Sequence, residues 1–571
     1  MLGLAAAQPA HAQESPAKAE EKFHLWFYTF GYNTALIDDK NVGRTIELIQ
    51  RLKKAGYTGL ALGDNKLHRL REQTPQYLEN LKKVRAACTE AGIDLVATCL
   101  PLGYANDIMI ADPNLAEAMP VVDAPFIVKD GKIVPDDPTT LVNGSFVENR
   151  DNKPAGWNVD VPGKGLYVDN EVKYEDKPSL RMENIEKNGE GSHMRACQDL
   201  KVKPFQYYHL SIAVKTKDYT GQDNRLMIIG SSASESHVLN VPEFSEIKPT
   251  QDWVVYHKTV NTMNYDKITV YLGSWDGRTG TIWLADVKME PAGLSNMVRR
   301  PGAPFKATTA DGKTVYAEGK DLPEMKDPGL GQSPYKGGYQ WHVGPQPSVP
   351  SGSSLKNGDK LLLSYYHTEV MCYGDQVPID MSEPKTDEVL GQVIQSIAKN
   401  LQPDYWFLEH DEIRMGGWSK SEEGKTCGQI LGENITKCYA MIRKAQPNVK
   451  GVYVWSDMFD PFHNAGHKNE FYAVCKGINP WDKSWEALPK EVGVVNWNAG
   501  KPDSAKFFST EGHAQIISGC DVGTVVNILK TSGNQKGVTG AIYVTWNGDF
   551  GNNVEHYAEA VLKWKKEQAG K

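Results

Sequence analysis

The sequence predicts an α/β fold, a (β/α)8 TIM barrel with an inserted β-sandwich (jelly-roll) domain. Strand-like and helix-like segments alternate at both ends of the 571-residue chain, with the short connections of right-handed βαβ units. The middle of the chain has short alternating strands separated by turn residues, which is typical of a β-sandwich. Polar and aromatic residues recur where most of the predicted barrel strands end, whereas an open sheet would collect them near one switch point.

The first part of the predicted barrel covers residues 23–137. The segment 23–30 (FHLWFYTF) is aromatic and apolar, which predicts a buried strand. Apolar residues at helical spacing then predict a helix over 41–55, which Gly56 ends. The same order repeats, with a strand at 57–63, a helix at 75–91 and a third strand at 94–99.

The second part of the predicted barrel covers residues 359–571 and resumes the alternation. It contributes five more predicted strands, at 360–367, 404–410, 449–455, 492–498 and 539–546. Its predicted helices cover 385–400, 428–445, 504–517 and 554–568. The resulting set of eight strands is the number that closes a (β/α)8 barrel.

Residues 138–292 interrupt the barrel and form the predicted β-sandwich. Four stretches follow one another in it: Asn-Gly-Ser-Phe at 143–146, Gly-Trp at 156–157, Ser-Leu-Arg at 179–181 and Thr-Ile-Trp-x-x-Asp-Val at 281–287. This order resembles the jelly-roll modules of the carbohydrate-binding superfamily. The resemblance implies the fold of the insertion and leaves open whether the insertion binds sugar. Residues 293–358, rich in Pro, Gly and Ser, are predicted to be a linker that wraps back over the barrel.

The composition argues against some classes of function and favours another. A formal net charge of −8 gives no basic nucleic-acid footprint, and a mean hydropathy of −0.48 without a long apolar run argues against a membrane span. The 14 Trp and 25 Tyr favour sugar binding, because sugar rings stack on aromatic faces. Residues 1–22 are signal-peptide-like, and Ala10-His11-Ala12 fits the cleavage pattern, so we expect a secreted or periplasmic protein.

The segment 404–414 carries the strongest functional signal. An apolar strand there ends in Glu-His-Asp-Glu-Ile-Arg, and buried strands rarely carry so many ionisable groups unless these meet a ligand. The adjacent Asp411 and Glu412 are the predicted catalytic residues. Glycoside hydrolysis needs one carboxylic acid to protonate the leaving oxygen and a second negative group, and neighbouring carboxylates push one pKa upward. The predicted substrate-binding residues are Asp64, His367, Glu369, His410, Arg414, Trp455, Asp457, Trp497, Asn498, Trp546 and Asp549.

An Asp-Glu pair at a barrel strand end, with tryptophans at later strand ends, resembles the family 20 β-N-acetylhexosaminidases and, less closely, the family 123 β-N-acetylgalactosaminidases. The resemblance implies that Asp411 orients the 2-acetamido group of the substrate and that Glu412 is the general acid/base. It also implies that Trp455, Trp497 and Trp546 form part of an aromatic wall around the sugar. Two features depart from family 20. Leu408-Glu409-His410 precede the pair where that family has His-x-Gly-Gly, and the pair lies on the fifth predicted strand rather than the fourth.

The sequence therefore predicts an exo-acting glycoside hydrolase that cleaves terminal β-linked N-acetylhexosamine, or a related sugar, by a substrate-assisted retaining mechanism. Two alternatives stay open: a glycosidase that uses Glu412 and Asp457 as a conventional carboxylate pair, and a non-catalytic carbohydrate-binding protein. No metal or cofactor is expected, because the chain has no His-Glu-x-x-His spacing and no Gly-rich phosphate loop after a strand. The expected partner is a glycan or oligosaccharide substrate, and the oligomeric state is left open.

Overall fold

A closed barrel of eight parallel strands forms the centre of the computed structural model, which describes residues 23–29, 35–159, 165–184, 194–220, 224–231, 236–240, 247–274, 279–371, 376–466, 473–546 and 551–570. Strands and helices are numbered along the chain. In order around the barrel, the strands are β1 (His24–Thr29), β2 (Gly59–Leu62), β3 (Asp94–Cys99), β22 (Tyr405–Leu408), β24 (Gly451–Trp455), β26 (Val492–Asn496), β27 (Gln515–Gly519) and β28 (Val538–Val544). Because the strands are parallel, their carboxyl ends meet at one face, which we call the barrel mouth.

Large aromatic side chains fill the inside of the barrel. The ring centre of Trp26 lies 5.2 Å from that of Tyr405 and 5.1 Å from that of Tyr453. Neighbouring glycines make room for these rings, since a Cβ at Gly59 would lie 2.5 Å from Trp26 and one at Gly493 would lie 2.4 Å from Tyr453. The interior is a packed core rather than a pore, which leaves the mouth as the place for a ligand.

In the described part of the chain, seven α-helices accompany the strands. They are α1 (Asp39–Ala55), α2 (Pro75–Ala91), α3 (Pro384–Asn400), α4 (Cys427–Ala445), α5 (Pro502–Glu511), α6 (Val522–Ser532) and α7 (Asn553–Ala569). Their apolar residues pack in one core with the outer sides of the barrel strands. Gly56 and Gly92 end α1 and α2 in the left-handed conformation, at φ values of 93° and 65°, which is the usual role of a glycine at this position.

The predicted α/β (β/α)8 class is wrong for the chain as a whole. About 34% of the described residues are in strands and 28% in helices, and the strands outside the barrel form largely antiparallel sheets. The strict alternation also fails, because the described residues between β24 and β26 form short 3-10 turns in place of an α-helix. The prediction extended the alternation at the two chain ends to the whole protein, whereas the structure combines a parallel barrel with three larger antiparallel sheets.

Two five-stranded antiparallel sheets lie within the predicted sandwich region. The first contains, in spatial order, β15 (Gln251–Asn261), β12 (Tyr207–Thr220), β17 (Thr279–Pro291), β10 (Lys177–Glu183) and β9 (Leu166–Tyr174). The second contains β14 (Ser236–Asn240), β13 (Asn224–Ser231), β16 (Lys267–Ser274), β11 (Met194–Lys201) and β8 (Asn158–Val159). One apolar core, which includes Leu210, Val270 and Leu284, joins the two sheets.

A third antiparallel sheet draws strands from both sides of the insertion. It contains β20 (Val315–Tyr316), β19 (Lys306–Thr309), β21 (Lys360–His367), β4 (Met119–Lys129) and β5 (Lys132–Pro135), with β18 (Met297–Val298) beside β21. Two short pairs complete the strands, β6 (Asn149–Arg150) with β7 (Lys153–Pro154), and β23 (Met415–Gly416) with β25 (Val474–Cys475). The region predicted to be a wrapping linker thus supplies three of these strands.

Two of the element predictions in the second half are wrong. The strand at 360–367 exists as β21, but it pairs antiparallel with β4 and alternates between buried and partly exposed residues, as a strand covered on one face does. The helix predicted over 504–517 ends at Glu511, where Gly512 adopts φ +86°, and β27 follows as the seventh barrel strand. These two errors cancel in the total of eight strands. They also move the Asp411-Glu412 pair from the fifth barrel strand to the fourth.

No helix in the described part of the chain is both long enough and apolar enough to cross a membrane. The signal-peptide-like residues 1–22 and the predicted site residue Asp549 lie outside the described residues.

Candidate active site

The turn after β22 brings the predicted catalytic pair to the barrel mouth. The strand pairing continues one residue past Leu408, because the Glu409 amide donates to the Cys99 carbonyl over 2.8 Å. Glu412 then has φ +48°, a left-handed conformation that is strained for a residue other than glycine. The turn ends the strict alternation of strand side chains, so that Asp411 and Glu412 need not face opposite sides.

Gly103, in the loop after β3, lets this turn come close. A Cβ at Gly103 would lie 2.4 Å from the carbonyl oxygen of Asp411 and 3.1 Å from that of Glu412. The side-chain amide of Gln376 donates to the same Glu412 carbonyl over 2.9 Å. The position of the pair therefore depends on two loops that are distant in sequence.

Asp457 holds the turn from the next barrel strand. It follows β24 and is fully buried. Its Oδ2 accepts the Glu412 amide over 3.0 Å and the Asn464 side-chain amide over 2.8 Å. Burial raises the pKa of Asp457 to about 6. These contacts make Asp457 a positioning residue for the turn, and its burial argues against the alternative in which it is the catalytic partner of Glu412.

Both oxygens of the Glu412 carboxyl group accept hydrogen bonds. The Tyr104 hydroxyl donates to Oε2 over 2.6 Å, and Nη2 of Arg414 donates to Oε1 over 3.2 Å. The side chain of Glu412 remains 18% exposed. Glu412 is therefore a fixed carboxyl group at the edge of the mouth, with a cationic neighbour that matches a negative charge.

Asp411 has different surroundings. Its side chain is partly exposed, and among the described residues no other side chain donates a hydrogen bond to it. Burial raises its pKa well above the usual range, and the charges of Asp457, Glu412 and Glu409 raise it further. The pair thus offers a partly exposed carboxyl group with a raised pKa and a second one that is held by donors.

Glu409 is a fourth carboxyl group in this region. Its Oε1 accepts the Tyr28 hydroxyl over 2.7 Å, and burial raises its pKa to about 7. We call Glu409, Asp411, Glu412 and Asp457 the mouth cluster. Burial raises the pKa values of Glu409, Asp411 and Asp457, and neighbouring acidic charges raise those of Asp411 and Asp457 further.

Three tryptophans lie beside the mouth cluster, at the ends of β24, β26 and β28. The Trp455 ring is nearly parallel to that of Trp546, with centres 6.2 Å apart, and lies 6.4 Å from that of Trp497. Trp455 is buried, whereas Trp497 is 37% and Trp546 51% exposed. Large exposed indoles near carboxyl groups can stack on a sugar ring, so Trp497 and Trp546 stay the predicted stacking residues. The burial of Trp455 leaves it little face to offer a sugar.

A cavity of about 370 Å³ opens on the side of Trp497. Asn498, Lys501 and residues of α6, including Thr524 and Asn527, line it. The Asn498 side chain donates to Asp460 over 3.1 Å, so its predicted role in substrate binding competes with a structural one. The cavity extends the polar surface from the mouth toward α6.

Two predicted site residues at barrel strand ends have mainly structural contacts. Asp64 is buried and accepts the backbone amides of Leu36 over 2.9 Å and Lys66 over 3.0 Å, so it orders the loop after β2. His410 is fully buried and its Nδ1 lies 3.2 Å from the Leu100 carbonyl. Burial lowers the pKa of His410 to about 4, so the ring stays neutral.

His367 and Glu369 follow β21 and therefore do not lie at a barrel strand end. The His367 ring stacks on Tyr207, with centres 3.5 Å apart, and its Nε2 accepts the Asn261 side-chain amide over 2.9 Å. Glu369 is fully buried, and burial raises its pKa to about 8. The contacts of His367 are with strands of the sandwich. Both residues were predicted at the barrel mouth because β21, the strand that precedes them, was wrongly counted as a barrel strand.

Sequence reasoning missed Tyr28, Tyr104, Gln376 and Gly103. The tyrosines contact Glu409 and Glu412 across 381 and 308 residues of sequence, so no local pattern announces the contacts. Tyr28 lies near the carboxyl end of β1, and this position was the one signal from which it could have been predicted as a site residue.

A second group of carboxyl side chains is sealed inside the protein. Glu117, Asp380 and Glu422 are buried, and one oxygen of each lies within 4.8 Å of the others. Arg300 donates to Asp380 over 2.7 Å. Asp380 also accepts four further hydrogen bonds, from the hydroxyls of Ser419 and Ser421 and the amides of Ser382 and Glu383. We call the three acids with Arg300 the sealed cluster; since Asp380 is saturated with donors, it fits an internal ion-pair network better than a metal site.

No family model and no curated protein matches the chain. Among solved structures, one described as family 16 carbohydrate binding module-2 is 16% identical and matches 26% of this chain and 98% of its own, with a TM-score of 0.20. A xylan-binding domain from Paenibacillus barcinonensis is 15% identical and matches 27% of this chain and 94% of its own, with a TM-score of 0.21. Both are carbohydrate-binding modules, and likenesses of this size carry no argument about this chain.

Proposed function

We propose that the protein binds a glycan at the barrel mouth and hydrolyses a glycosidic bond there, with terminal β-linked N-acetylhexosamine as the first sugar to test. The observation that carries the proposal is the difference between Asp411 and Glu412. One carboxyl group is accessible with a raised pKa, and the other is held by Tyr104 and Arg414. Two carboxyl groups with separate roles are what glycoside hydrolysis needs.

The contacts favour a division of roles that reverses the one implied by family 20. Asp411 protonates the glycosidic oxygen as the bond from that oxygen to the anomeric carbon breaks, and the leaving alcohol takes the proton. Glu412, held by Tyr104 and Arg414, stabilises the positive charge that develops on the sugar. Water then adds to the anomeric carbon and gives a proton back to Asp411.

Three further features support the proposal. The pair follows the fourth barrel strand, which removes one of the two departures from the family 20 pattern. The exposed faces of Trp497 and Trp546 supply a stacking surface next to the carboxyl groups. The Ala10-His11-Ala12 pattern supports action outside the cytoplasm.

The test compares two aryl glycosides that differ in leaving group, a dinitrophenyl and a phenyl β-N-acetylhexosaminide. A general acid matters for the poor leaving group and little for the good one. We expect Asp411→Asn to lower kcat/KM by about 10²–10⁴-fold on the phenyl glycoside and by less than about tenfold on the dinitrophenyl glycoside. Glu412→Gln should lower both rates alike. Glu433→Gln, an exposed carboxyl change on α4, is the matched control.

If Glu412→Gln shows the leaving-group selectivity instead, the roles are those that family 20 implies. Activity on aryl hexosides without the acetamido group, at comparable efficiency, would contradict the N-acetylhexosamine assignment and leave hydrolysis intact.

A second candidate is a non-catalytic carbohydrate-binding protein, and the exposure of Trp497 and Trp546 favours it equally. The sandwich is a weaker place for such binding, because the Arg181 guanidinium lies 5.2 Å from the ring centre of the buried Trp283 and covers that aromatic side chain. Saturable glycan binding that Trp546→Ala weakens, without turnover of any aryl glycoside, would favour this second function.

A further inference from the structure

We propose that Glu409 and Tyr28 form a substrate-binding pair on the floor of the mouth, which holds a hydroxyl group of the sugar ring. This inference rests on the proposed function, since it adds a specificity-determining contact to the same site. The ligand chemistry is a neutral pyranose hydroxyl that donates to the free oxygen of Glu409.

The pair spans the barrel. Tyr28 lies on β1 and Glu409 follows β22, and two strands separate these in the barrel order. The hydroxyl of Tyr28 nevertheless reaches Oε1 of Glu409 over 2.7 Å. The Tyr28 ring also meets Trp455 and Trp546 edge-on, with ring centres 6.4 and 6.1 Å away. The pair therefore lies at the foot of the tryptophan wall, where a stacked sugar would place its ring hydroxyls.

Glu409 keeps one carboxyl oxygen without a donor. Tyr28 donates to Oε1, and among the described residues no donor contacts Oε2. Asp380 of the sealed cluster, by comparison, accepts five hydrogen bonds. Because the carboxyl group is partly exposed at a strand end, a ligand hydroxyl can take the place of solvent at its free oxygen.

The charges around Glu409 define its pH behaviour. Burial raises its pKa to about 7, and the hydrogen bond from Tyr28 opposes that rise. The titratable groups near it are Tyr28, Asp411 and Cys99, whose own pKa values are all raised, by burial first. The ionised form of Glu409 accepts a sugar hydroxyl best, so substrate binding weakens as pH falls through about 7. Without the Tyr28 hydroxyl, this loss begins at a higher pH.

The experiment measures kcat and KM against pH for the full-length protein and the variants Glu409→Gln and Tyr28→Phe. We expect Glu409→Gln to raise KM by about 10–100-fold at pH 8 and to abolish the KM rise near pH 7. Tyr28→Phe should move that rise to higher pH. Tyr557→Phe removes a buried tyrosine hydroxyl that bonds to the Ile542 carbonyl, and it is the matched control with unchanged kinetics.

Monodeoxy aryl glycosides separate recognition from a structural role. The wild-type protein should lose affinity for one deoxy isomer, and Glu409→Gln should show no further loss for that same isomer. Equal losses of affinity in the two proteins would overturn the proposal that Glu409 and Tyr28 bind a sugar hydroxyl. A pH profile of KM that Glu409→Gln leaves unchanged would overturn it too. Absence of hydrolysis by the wild-type protein would instead overturn the proposed function, and the inference with it.

Discussion

The mouth cluster and the sealed cluster both gather several carboxyl groups, and they differ in solvent access and in the donors around these groups. In the sealed cluster, Arg300 supplies a positive charge to Asp380 and donates twice more, to the Asn114 and Ala116 carbonyls over 2.6 Å each. In the mouth cluster, Arg414 contacts Glu412. Asp411 and Glu409 retain oxygens that no described side chain contacts.

The difference separates a structural use of acidic residues from the chemical use that we propose for the mouth cluster. Burial raises the pKa of Glu422 to about 7, much as it does for Glu409, so a shifted pKa does not by itself mark a site. What distinguishes the mouth cluster is its solvent access, the strained φ of Glu412 and the exposed indoles alongside. An oxygen without a donor does not distinguish it, because Oε1 of Glu117 in the sealed cluster also has none among the described residues. Solvent access beside exposed aromatic rings is therefore the better sign of a ligand site here.

The largest expected effect is on the sealed cluster. Arg300→Met removes the buried cation and leaves Asp380 uncompensated, so we expect the free energy of unfolding to fall by about 3–5 kcal/mol. Equilibrium unfolding in urea measures this change in the free energy of unfolding. Arg51→Met removes an exposed ion pair with Glu555 and should cost less than about 1 kcal/mol. Similar losses for the two variants would mean that the sealed cluster is not a stabilising network.

The second-largest expected effect comes from Gly103, where the loop after β3 packs against the turn that carries Asp411 and Glu412. Gly103→Ala places a Cβ 2.4 Å from the Asp411 carbonyl oxygen, so the turn must shift. We expect a stability loss of about 1–3 kcal/mol and a fall in kcat/KM of about 10–100-fold, because catalytic carboxyl groups depend on their placement. Thermal unfolding and aryl glycoside kinetics measure the two quantities.

Gly43→Ala is the matched control, since a Cβ at this position in α1 meets nothing within 4 Å. It should stabilise the protein by about 0.5–1 kcal/mol without changing the kinetics. Unchanged kinetics in Gly103→Ala would show that the turn tolerates displacement, and would weaken the claim that the mouth cluster is a preorganised site.

The sequence was informative about the barrel where strands were apolar on both faces. Segments such as 57–63 and 492–498 are covered on both sides, and their continuous apolar character identifies them. The segment 360–367 has the same character, and nothing in it shows that its partners are antiparallel. The strand Gln515–Gly519 is short and follows closely after a helix, so the predicted helix was extended into it.

The candidate site was predictable only where its signal is local. Asp411 and Glu412 stand out because charge is dense after an apolar strand, and the tryptophans stand out at strand ends. Tyr28 and Tyr104 belong to the site through the closure of the barrel and the path of a loop, which no sequence window contains. Of the two donors to Glu412, Arg414 is local and is among the predicted site residues, whereas Tyr104 is visible in the structure alone.

The smallest expected effect is on the tryptophan wall, and it asks whether ligand binding belongs to the mouth cluster at all. Trp546→Ala removes an indole that is 51% exposed and lies parallel to Trp455. Loss of one stacking face should raise KM by about 3–10-fold and leave kcat within about twofold, because stacking binds ground state and transition state alike. Tyr335→Ala, at a similarly exposed aromatic residue in the 293–358 region, should leave both constants unchanged. A fall in kcat with unchanged KM would instead mean that Trp546 positions the carboxyl groups and does not bind the sugar. The tryptophan would then support the mouth cluster in the way that Arg300 supports the sealed cluster.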